Sequence, residues 1–248
     1  MDPRRPHLTV VADADALAQA AAERVASRLN EASDAAAVCL TGGSTPARLY
    51  ALMANERYRG ALPWSRIHWF WGDDRFVPYD DPRSNFGAAR RILLDHVPVP
   101  PDNIHPIPAS SASMDEAARR YEAELQRFYG ADRIDPRRPL FDVVLMGVGT
   151  DGHTASLFPG HAELAQTQRW VVGVPQAGLE PFVPRVTLTF PTLASTREML
   201  FLVSGESKRQ VMTRLLSGLD LPAARAYADG NLVWLVDRDA APEQRDVA

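Results

Sequence analysis

The sequence has few of the residues that most often carry metal or nucleophilic chemistry. It contains one cysteine, Cys39, so an intrachain disulfide is excluded, and the surrounding apolar run suits a small buried thiol. It also lacks a zinc-binding HExxH or Cys/His pattern, the spacing of a calcium loop, and the G-x-S-x-G turn of serine hydrolases. Its chemistry is therefore expected to need neither a metal nor an activated serine.

Long hydrophobic runs are missing as well. No window approaches the roughly 18 uninterrupted apolar residues that suggest a membrane-spanning helix, and the N-terminal segment has no apolar stretch of signal-peptide length. We therefore expect a cytoplasmic protein that does not contact a membrane. The formal net charge of -4 further argues against a broad surface for nucleic acids or other polyanions.

Lysine is almost absent. Of the 27 cationic residues only Lys208 is a lysine, and the others are arginines. Such a skew mostly reflects genome composition. Lysine and arginine bind phosphate groups differently, however, so the position of this one lysine is informative.

The composition is otherwise that of a folded globular protein. The chain has 248 residues, of which 46% are hydrophobic and 23% charged, which is enough to bury a full core. It shows no internal repeat, low-complexity tract or clear domain boundary. We therefore expect one domain spanning residues 1–248.

Short apolar runs alternate with helical stretches along the chain, and this alternation predicts an α/β fold with a mostly parallel sheet covered by helices on both faces. The predicted strands are 8–11, 36–41, 67–71, 104–107, 141–148, 170–174, 185–190, 199–204 and 232–236. The predicted helices are 14–31, 46–55, 85–94, 114–128 and 206–216.

Ligands of open α/β sheets bind beyond the carboxyl ends of the strands. Polar or glycine-rich segments follow four of the predicted strands, at 42–46, 72–75, 147–153 and 204–208. In the first of them, Gly42 and Gly43 allow a tight turn, and Ser44 or Thr45 can cap the next helix. Free amides at this helix start would attract a phosphate, although the same residues also suit an ordinary capped turn.

The segment 147–152 reads G-x-G-x-x-G, which is also the pattern of a dinucleotide-binding turn. The helical stretch after it reaches Pro159 and Gly160 too soon, and the next strand has no acid at its end to bind a ribose. The segment is better interpreted as a glycine turn that presents Asp151 and His153. A histidine can act as a general base near neutral pH, and a neighbouring carboxylate can fix its tautomer.

Three cations lie near strand ends. Lys208 falls in the first turn of a predicted helix, where the helix dipole disfavours a cation unless an anion binds nearby. Arg75 and Arg185 could contribute to the same site or form surface ion pairs. The four acids at 73, 74, 80 and 81 could suggest a cation site, but interleaved arginines favour a solvated or internally paired loop.

Four blocks of the sequence resemble the 6-phosphogluconolactonase family, within the superfamily that also contains glucosamine-6-phosphate deaminase. They are LTGGSTP at 40–46, WGDDRFVP at 71–78 running into SNF at 84–86, MGVGTDGHTASLFPG at 146–160, and RVTLT at 185–189 followed by SGESK at 204–208. The third block is highly specific, whereas the first alone is weak. One departure is Asp74, where the family usually has glutamate.

The resemblance implies a Rossmann-like enzyme that hydrolyses 6-phosphoglucono-1,5-lactone in the oxidative pentose phosphate pathway without a metal or cofactor. It implies that His153 is the general base and that Asp151 orients it. The substrate and its phosphate would bind to a cationic and glycine-rich set of residues: Gly42, Gly43, Ser44, Thr45, Arg75, Arg185 and Lys208. Of these, Arg75 and Arg185 would contact phosphate or ring oxygens. Asp74 and Asn85 would support the site, and either amides near Gly42 and Gly43 or a guanidinium would stabilise the oxyanion.

Two other functions were weighed. The chain could be a sugar-phosphate isomerase or deaminase of the same superfamily, but the stretch DGHTASLFP favours the lactonase. It could also be a sugar-phosphate sensor without catalysis, but the 7 residues before the first predicted strand leave no room for a helix-turn-helix. We expect a small phosphosugar lactone as the ligand, no nucleic acid, and a monomer or small homo-oligomer.

Overall fold

The structure is a computed structural model that describes residues 7–32 and 35–242. In these ranges the strands are β1 (His7–Val11), β2 (Ala36–Leu40), β3 (Ile67–Trp71), β4 (Asp73–Arg75), β5 (Phe141–Met146), β6 (Val171–Val174), β7 (Arg185–Leu188), β8 (Thr196–Val203) and β9 (Asn231–Asp237). The α-helices are α1 (Ala14–Glu31), α2 (Ser44–Met53), α3 (Glu56–Arg59), α4 (Asn85–Ile92), α5 (Met114–Tyr129), α6 (Phe190–Ala194) and α7 (Arg209–Leu216).

Six strands form one parallel sheet in the order β1-β9-β8-β5-β2-β3. Helices and loops cover the inner strands, which are therefore mostly buried: all five residues of β2 are buried, and β5 is buried except for Asp142. The predicted α/β fold with a mostly parallel sheet is confirmed.

A second sheet of three antiparallel strands lies beside the first, in the order β4-β7-β6. Strand β4 follows β3 after a single glycine, Gly72, so the chain passes directly from the edge of the parallel sheet into the small sheet. The register pairs Asp73 with Thr187 and Arg75 with Arg185. Because side chains alternate along a strand, these four residues lie on one face of the small sheet.

Several predicted elements need correction. The run 104–107 is not a strand: Ile104 forms one isolated bridge to Trp69, and the surrounding prolines do not supply the amide donors of a ladder. The runs 170–174 and 185–190 do form strands, but in the antiparallel sheet, and the second ends where Phe190 begins α6. Strand β4 was not predicted, because three charged residues show no strand pattern.

The predicted helix 206–216 is also divided. Residues Glu206–Lys208 form a single 3-10 turn, and α7 begins only at Arg209. Among the helices of residues 7–32 and 35–242, none combines the length and the apolar character that crossing a bilayer requires.

Two histidine rings and a carboxylate form a hydrogen-bonded series from the edge strand β3 to helix α5. The His68 Nδ1 and His105 Nε2 atoms are 2.9 Å apart, and His105 Nδ1 lies 2.9 Å from a Glu124 carboxylate oxygen. Since the carboxylate only accepts, neutral His105 donates through Nδ1 and accepts from His68 through Nε2. A further proton on His105 therefore requires His68 to change its tautomer, so that His68 Nδ1 becomes the acceptor.

The pKa values of both histidines lie below the ordinary value. Burial and the charge of His105 lower the pKa of His68, while burial and the charge of Arg127 lower the pKa of His105. The unfolded chain therefore takes up these protons more readily than the folded protein, so the stability that the neutral pair contributes is lost as pH falls below about 6.5.

We predict that His68→Gln weakens the acid dependence of stability. In urea unfolding between about pH 7.5 and pH 5.5, proton uptake by the histidines of the unfolded chain lowers the free energy of unfolding, while protonation of Asp74, whose pKa burial raises to about 6, opposes this fall in both proteins. The free energy of unfolding should decrease less in the variant than in the wild type, because one of the two titrating rings is gone. An identical change in both proteins would show that the histidine pair does not contribute to the acid sensitivity.

Candidate active site

A cleft of about 280 Å³ lies at the carboxyl edge of the parallel sheet, where the segments after β2, β3, β5 and β8 meet the small sheet. This volume is close to the lower end of small-molecule sites, about 300 Å³. Its walls bring together most of the polar and ionisable side chains predicted for the site: Arg75, Asn85, His153, Arg185 and Lys208.

A larger groove of about 610 Å³ lies at the opposite edge, near the amino ends of β2 and β5. Its polar groups are largely paired with each other: Arg28 contacts Glu31 at 2.9 Å and Arg197 contacts Asp142 at 3.2 Å. Of the two, the smaller cleft therefore has the groups that fit catalysis.

The turn after β5 holds the catalytic candidates in a fixed relation. The Gly149 amide donates to the His153 carbonyl at 2.8 Å, and the Gly152 amide donates to the Gly149 carbonyl at 2.9 Å. Gly152 has a φ of +92°, a left-handed conformation that favours glycine. The turn thereby folds back on itself and brings Asp151 beside the ring of His153.

The Asp151–His153 contact defines the tautomer of the histidine. An Asp151 carboxylate oxygen lies 2.6 Å from His153 Nδ1 and accepts the His153 amide at 3.1 Å. Burial alone would raise the pKa of Asp151, but the hydrogen bonds and charge of His153 bring it below the ordinary value. The ionised carboxylate only accepts, so Nδ1 of neutral His153 carries the proton and Nε2 is free to take another.

Gly149 is required by the close approach of this pair. A Cβ at position 149 would lie 2.1 Å from His153 Nδ1 and 2.6 Å from an Asp151 carboxylate oxygen. Both distances are far below van der Waals contact. The glycine pattern that resembles a dinucleotide-binding turn therefore makes room for the histidine and its carboxylate.

Two guanidinium groups form another wall. Arg75 donates to the Arg83 carbonyl at 2.7 Å and to Asn85 Oδ1 at 2.9 Å, and Arg185 donates to the Pro181 carbonyl at 2.9 Å. The Nε atoms of Arg75 and Arg185 are both buried without a hydrogen-bond partner among the described residues. Burial lowers the pKa of Arg185, an effect that the charge of Asp73 opposes and that of Arg75 adds to. Buried donors without acceptors and an excess of positive charge suit an anionic ligand.

Asp73 is a site residue that the sequence did not single out. It is 5% exposed, lines the cleft, and accepts from Ser156 Oγ at 2.6 Å and from Asn85 Nδ2 at 3.3 Å. Internal pairing was one of the two arrangements expected for this acidic loop, and the structure has it: Asp73 is hydrogen-bonded, and Asp81 pairs with Arg83 at 2.6 Å. Its place after Gly72, at the carboxyl end of β3, is the signal that could have identified it.

Asp74 lies outside the cleft. Its carboxylate accepts the amides of Arg75, Asn85 and Phe86 at 2.7, 2.6 and 2.9 Å, and it thereby holds the start of α4. Burial raises the pKa of Asp74 to about 6, although these hydrogen bonds oppose the change. The short side chain of aspartate reaches all three amides.

Asn85 links three parts of the site. Its Nδ2 donates to the Asp73 carbonyl at 3.0 Å, while its Oδ1 accepts from Arg75. A Cβ at Gly42 would lie 1.9 Å from Asn85 Oδ1, so the glycine after β2 allows the amide to approach.

The glycine turn after β2 contributes backbone rather than hydroxyl groups. Gly42 and Gly43 line the cleft, whereas Ser44 and Thr45 lie in the first turn of α2 and do not line it. Neither hydroxyl caps this helix, because Gly43, with φ +114°, occupies the cap position. The predicted side-chain cap is wrong.

Lys208 enters the cleft from the 3-10 turn that precedes α7. Its side chain lines the cleft and is half-buried. Burial lowers the pKa of Lys208, and the nearby charge of Asp151 opposes this effect. Among residues 7–32 and 35–242, no cluster of three or more His, Cys, Asp or Glu side chains is arranged to hold a metal ion.

Comparisons with known proteins agree on one family. Residues 12–234 match the family model described as glucosamine-6-phosphate isomerases/6-phosphogluconolactonase. The 6-phosphogluconolactonase of Streptomyces coelicolor is 37% identical over 248 residues, covering 96% of this chain and 94% of that protein. The 6-phosphogluconolactonase of Mycobacterium tuberculosis is 38% identical over 244 residues, covering 94% and 96%.

A solved structure gives the same picture. The crystal structure of 6-phosphogluconolactonase from Thermotoga maritima superposes with a TM-score of 0.81 at 31% identity, and the match covers 94% of this chain and 100% of that one.

We predict that Gly149→Ala breaks the His153–Asp151 hydrogen bond, because the added methyl would overlap His153 Nδ1. NMR of protein with 15N-labelled histidine should show wild-type His153 with its proton on Nδ1, and the variant should lose this signature. The control is Gly147→Ala, where no atom lies within 4 Å of the added carbon. A variant that retains the wild-type signal would show that the turn can accommodate a side chain at position 149.

Proposed function

Because the chain belongs to the family of glucosamine-6-phosphate isomerases and 6-phosphogluconolactonases, we propose that it hydrolyses 6-phospho-D-glucono-1,5-lactone to 6-phosphogluconate in the oxidative pentose phosphate pathway. The observation that carries the proposal is the Asp151–His153 pair beside three cations in one cleft. The pair supplies a general base, and the cations suit a substrate with a phosphate group.

His153 acts as the general base. Its Nε2 has no hydrogen-bond partner among the described residues, while Nδ1 is held by Asp151 at 2.6 Å. Nε2 takes a proton from a water molecule as the water oxygen attacks the lactone carbonyl. When the tetrahedral intermediate collapses, the same nitrogen returns the proton to the ring oxygen, which leaves as a hydroxyl. Asp151 stabilises the imidazolium that forms between the two steps.

The phosphate group is bound by Lys208, Arg75 and Arg185, together with amides at Gly42 and Gly43. The unpartnered Nε atoms of both arginines support this assignment, because they can donate charge-assisted hydrogen bonds. Ser44 and Thr45 take no direct part, because neither residue lines the cleft.

The 37% to 38% identity to proteins named 6-phosphogluconolactonase supports the lactonase over an isomerase or deaminase. Incubation with glucosamine-6-phosphate should release no ammonia above the blank.

The proposal also covers the location, the assembly, the domain organisation and the cofactor need of the protein. The protein acts in the cytoplasm, where charged sugar phosphates are retained, as a monomer or small homo-oligomer and without nucleic acid. Residues 1–248 work as one domain, since the cleft takes groups from segments between Gly42 and Lys208. Neither a metal nor a cofactor takes part.

The direct test is the hydrolysis rate of freshly generated 6-phosphogluconolactone with and without the protein, because the lactone also hydrolyses spontaneously. The protein should accelerate this reaction strongly and act poorly on gluconolactone, which has no phosphate. Equal acceleration of both lactones would show that the cations do not bind the phosphate, and no acceleration would reject the lactonase.

We predict that His153→Ala lowers kcat by about 10²- to 10⁴-fold, the usual contribution of a positioned general base. The variant should still bind 6-phosphogluconate in calorimetry, because the cations are unchanged. Near-normal turnover would remove His153 from the mechanism.

We predict that Lys208→Ala mainly raises KM for the phosphorylated lactone, because a charge-assisted contact to the phosphate is lost. Steady-state kinetics over a range of lactone concentrations separate KM from kcat. A fall in kcat with an unchanged KM would contradict a role in substrate binding.

A further inference from the structure

The loop that carries Lys208 is tied to a buried carboxylate on the neighbouring strand. Asp237 is the last residue of β9 and is 2% exposed. Its oxygens accept from Ser204 Oγ at 2.5 Å and from the Gly205 amide at 3.1 Å. They also accept the Ala240 amide at 2.9 Å. One side chain thus fixes the turns that follow β8 and β9.

The hydrogen bonds continue from Gly205 to Lys208. Gly205 has a φ of +92°, and its carbonyl accepts the Lys208 amide at 2.9 Å, which closes the 3-10 turn. A second contact lies next to the 3-10 turn, where Arg209 Nε donates to the Asp239 carbonyl at 3.0 Å. The backbone of Lys208 is therefore held between two contacts to the segment that follows β9.

Asp237 cannot act on the substrate directly, because it is buried and does not line the cleft. Lys208 does line the cleft, and its flexible side chain loses conformational entropy when a ligand fixes the ammonium group. If the backbone at position 208 is already rigid, the loop loses little further conformational entropy when the ligand binds. Any effect of Asp237 on the reaction must therefore pass through the position of Lys208.

We propose that Asp237 is a positioning residue that fixes the Lys208 loop for the phosphate group of the substrate and so sets affinity for phosphorylated lactones rather than the rate of the chemical step. This inference rests on the proposed function, in which Lys208 binds the phosphate. His153 and Asp151 lie on a different loop, after β5, and make no hydrogen bond to Asp237 or to the 3-10 turn.

The test is Asp237→Asn, which keeps the size of the side chain but replaces one acceptor oxygen with a donor. Asparagine leaves a single neutral acceptor oxygen for the Gly205 and Ala240 amides, so the hydrogen bonds that hold the 3-10 turn become weaker. KM for 6-phosphogluconolactone should rise about tenfold, as expected when hydrogen bonds to a charged group become bonds to a neutral one. The value of kcat should stay within about threefold of wild type. In calorimetry, the Kd for 6-phosphogluconate should rise in parallel with KM.

Asp142→Asn is the matched control. Asp142 accepts the Ala37 amide at 2.8 Å and pairs with Arg197 at 3.2 Å, at the amino edge of the same sheet. Its loss removes a comparable polar contact far from Lys208, so KM should not change. Ser204→Ala is a milder second variant that removes one donor to Asp237 and should raise KM in the same direction, by less.

The outcomes separate the two proposals. A KM rise in Asp237→Asn, with kcat retained and Asp142→Asn unaffected, supports the positioning role. The role is rejected if kcat falls while KM is unchanged, if neither changes, or if Asp142→Asn raises KM equally. If the wild-type protein accelerates no hydrolysis but binds 6-phosphogluconate more tightly than Asp237→Asn does, the lactonase fails and the positioning role stands. Wild-type protein that neither hydrolyses the lactone nor binds 6-phosphogluconate overturns both.

Discussion

The pairing of Arg75 with Arg185 on adjacent strands is the constraint around which the cleft is organised. Cα atoms of directly opposed residues on antiparallel strands lie only about 4.5 to 5.5 Å apart, so two positive charges are confined to a partly buried space. Asp73 offsets part of this charge, and Asn85 anchors one guanidinium, but two Nε donors are left without partners. The small sheet brings these charges to the edge where the parallel strands end, and a bound anion would complete their hydrogen bonding.

The parts of the molecule that could be predicted from sequence depend on local patterns. Strands β2, β3 and β5 are apolar nearly throughout, so their burial in a parallel sheet is evident from the residues themselves. Asp151 and His153 are two residues apart on a glycine turn, and their contact follows from that spacing. A site whose key groups are neighbours in sequence can be recognised without the fold. The resemblance to a family adds an expected substrate class, and it too depends on local blocks of sequence.

The parts that could not be predicted depend on contacts between distant segments. Ser156 reaches Asp73 across 83 residues, and no pattern at either position indicates that they meet. The three residues of β4 are too few to show the alternation of a strand. The antiparallel sheet and the Arg75–Arg185 pairing could therefore not be predicted from the sequence. Gly43 takes the cap position that Ser44 and Thr45 were expected to serve, because backbone geometry overrode side-chain preference. Asp237 lies 29 positions beyond Lys208 in the sequence. It comes near the loop that carries Lys208 only because β9 pairs with β8 in the sheet.

Strand β9 lies between β1 and β8 in the parallel sheet, although about 220 residues of sequence separate β1 from β9. During synthesis β1 therefore emerges long before the strand that pairs with it, and contacts of such high sequence separation form slowly. A nascent chain that extends only to α7 already contains Asp151, His153 and Lys208. It lacks β9, whose Asp237 accepts the Gly205 amide in the loop that carries Lys208. Insertion of β9 joins β1 to β8 and supplies the Asp237 contacts of the Lys208 loop in one event, so the site gains its full set of contacts only after this strand has entered the sheet next to the edge strand.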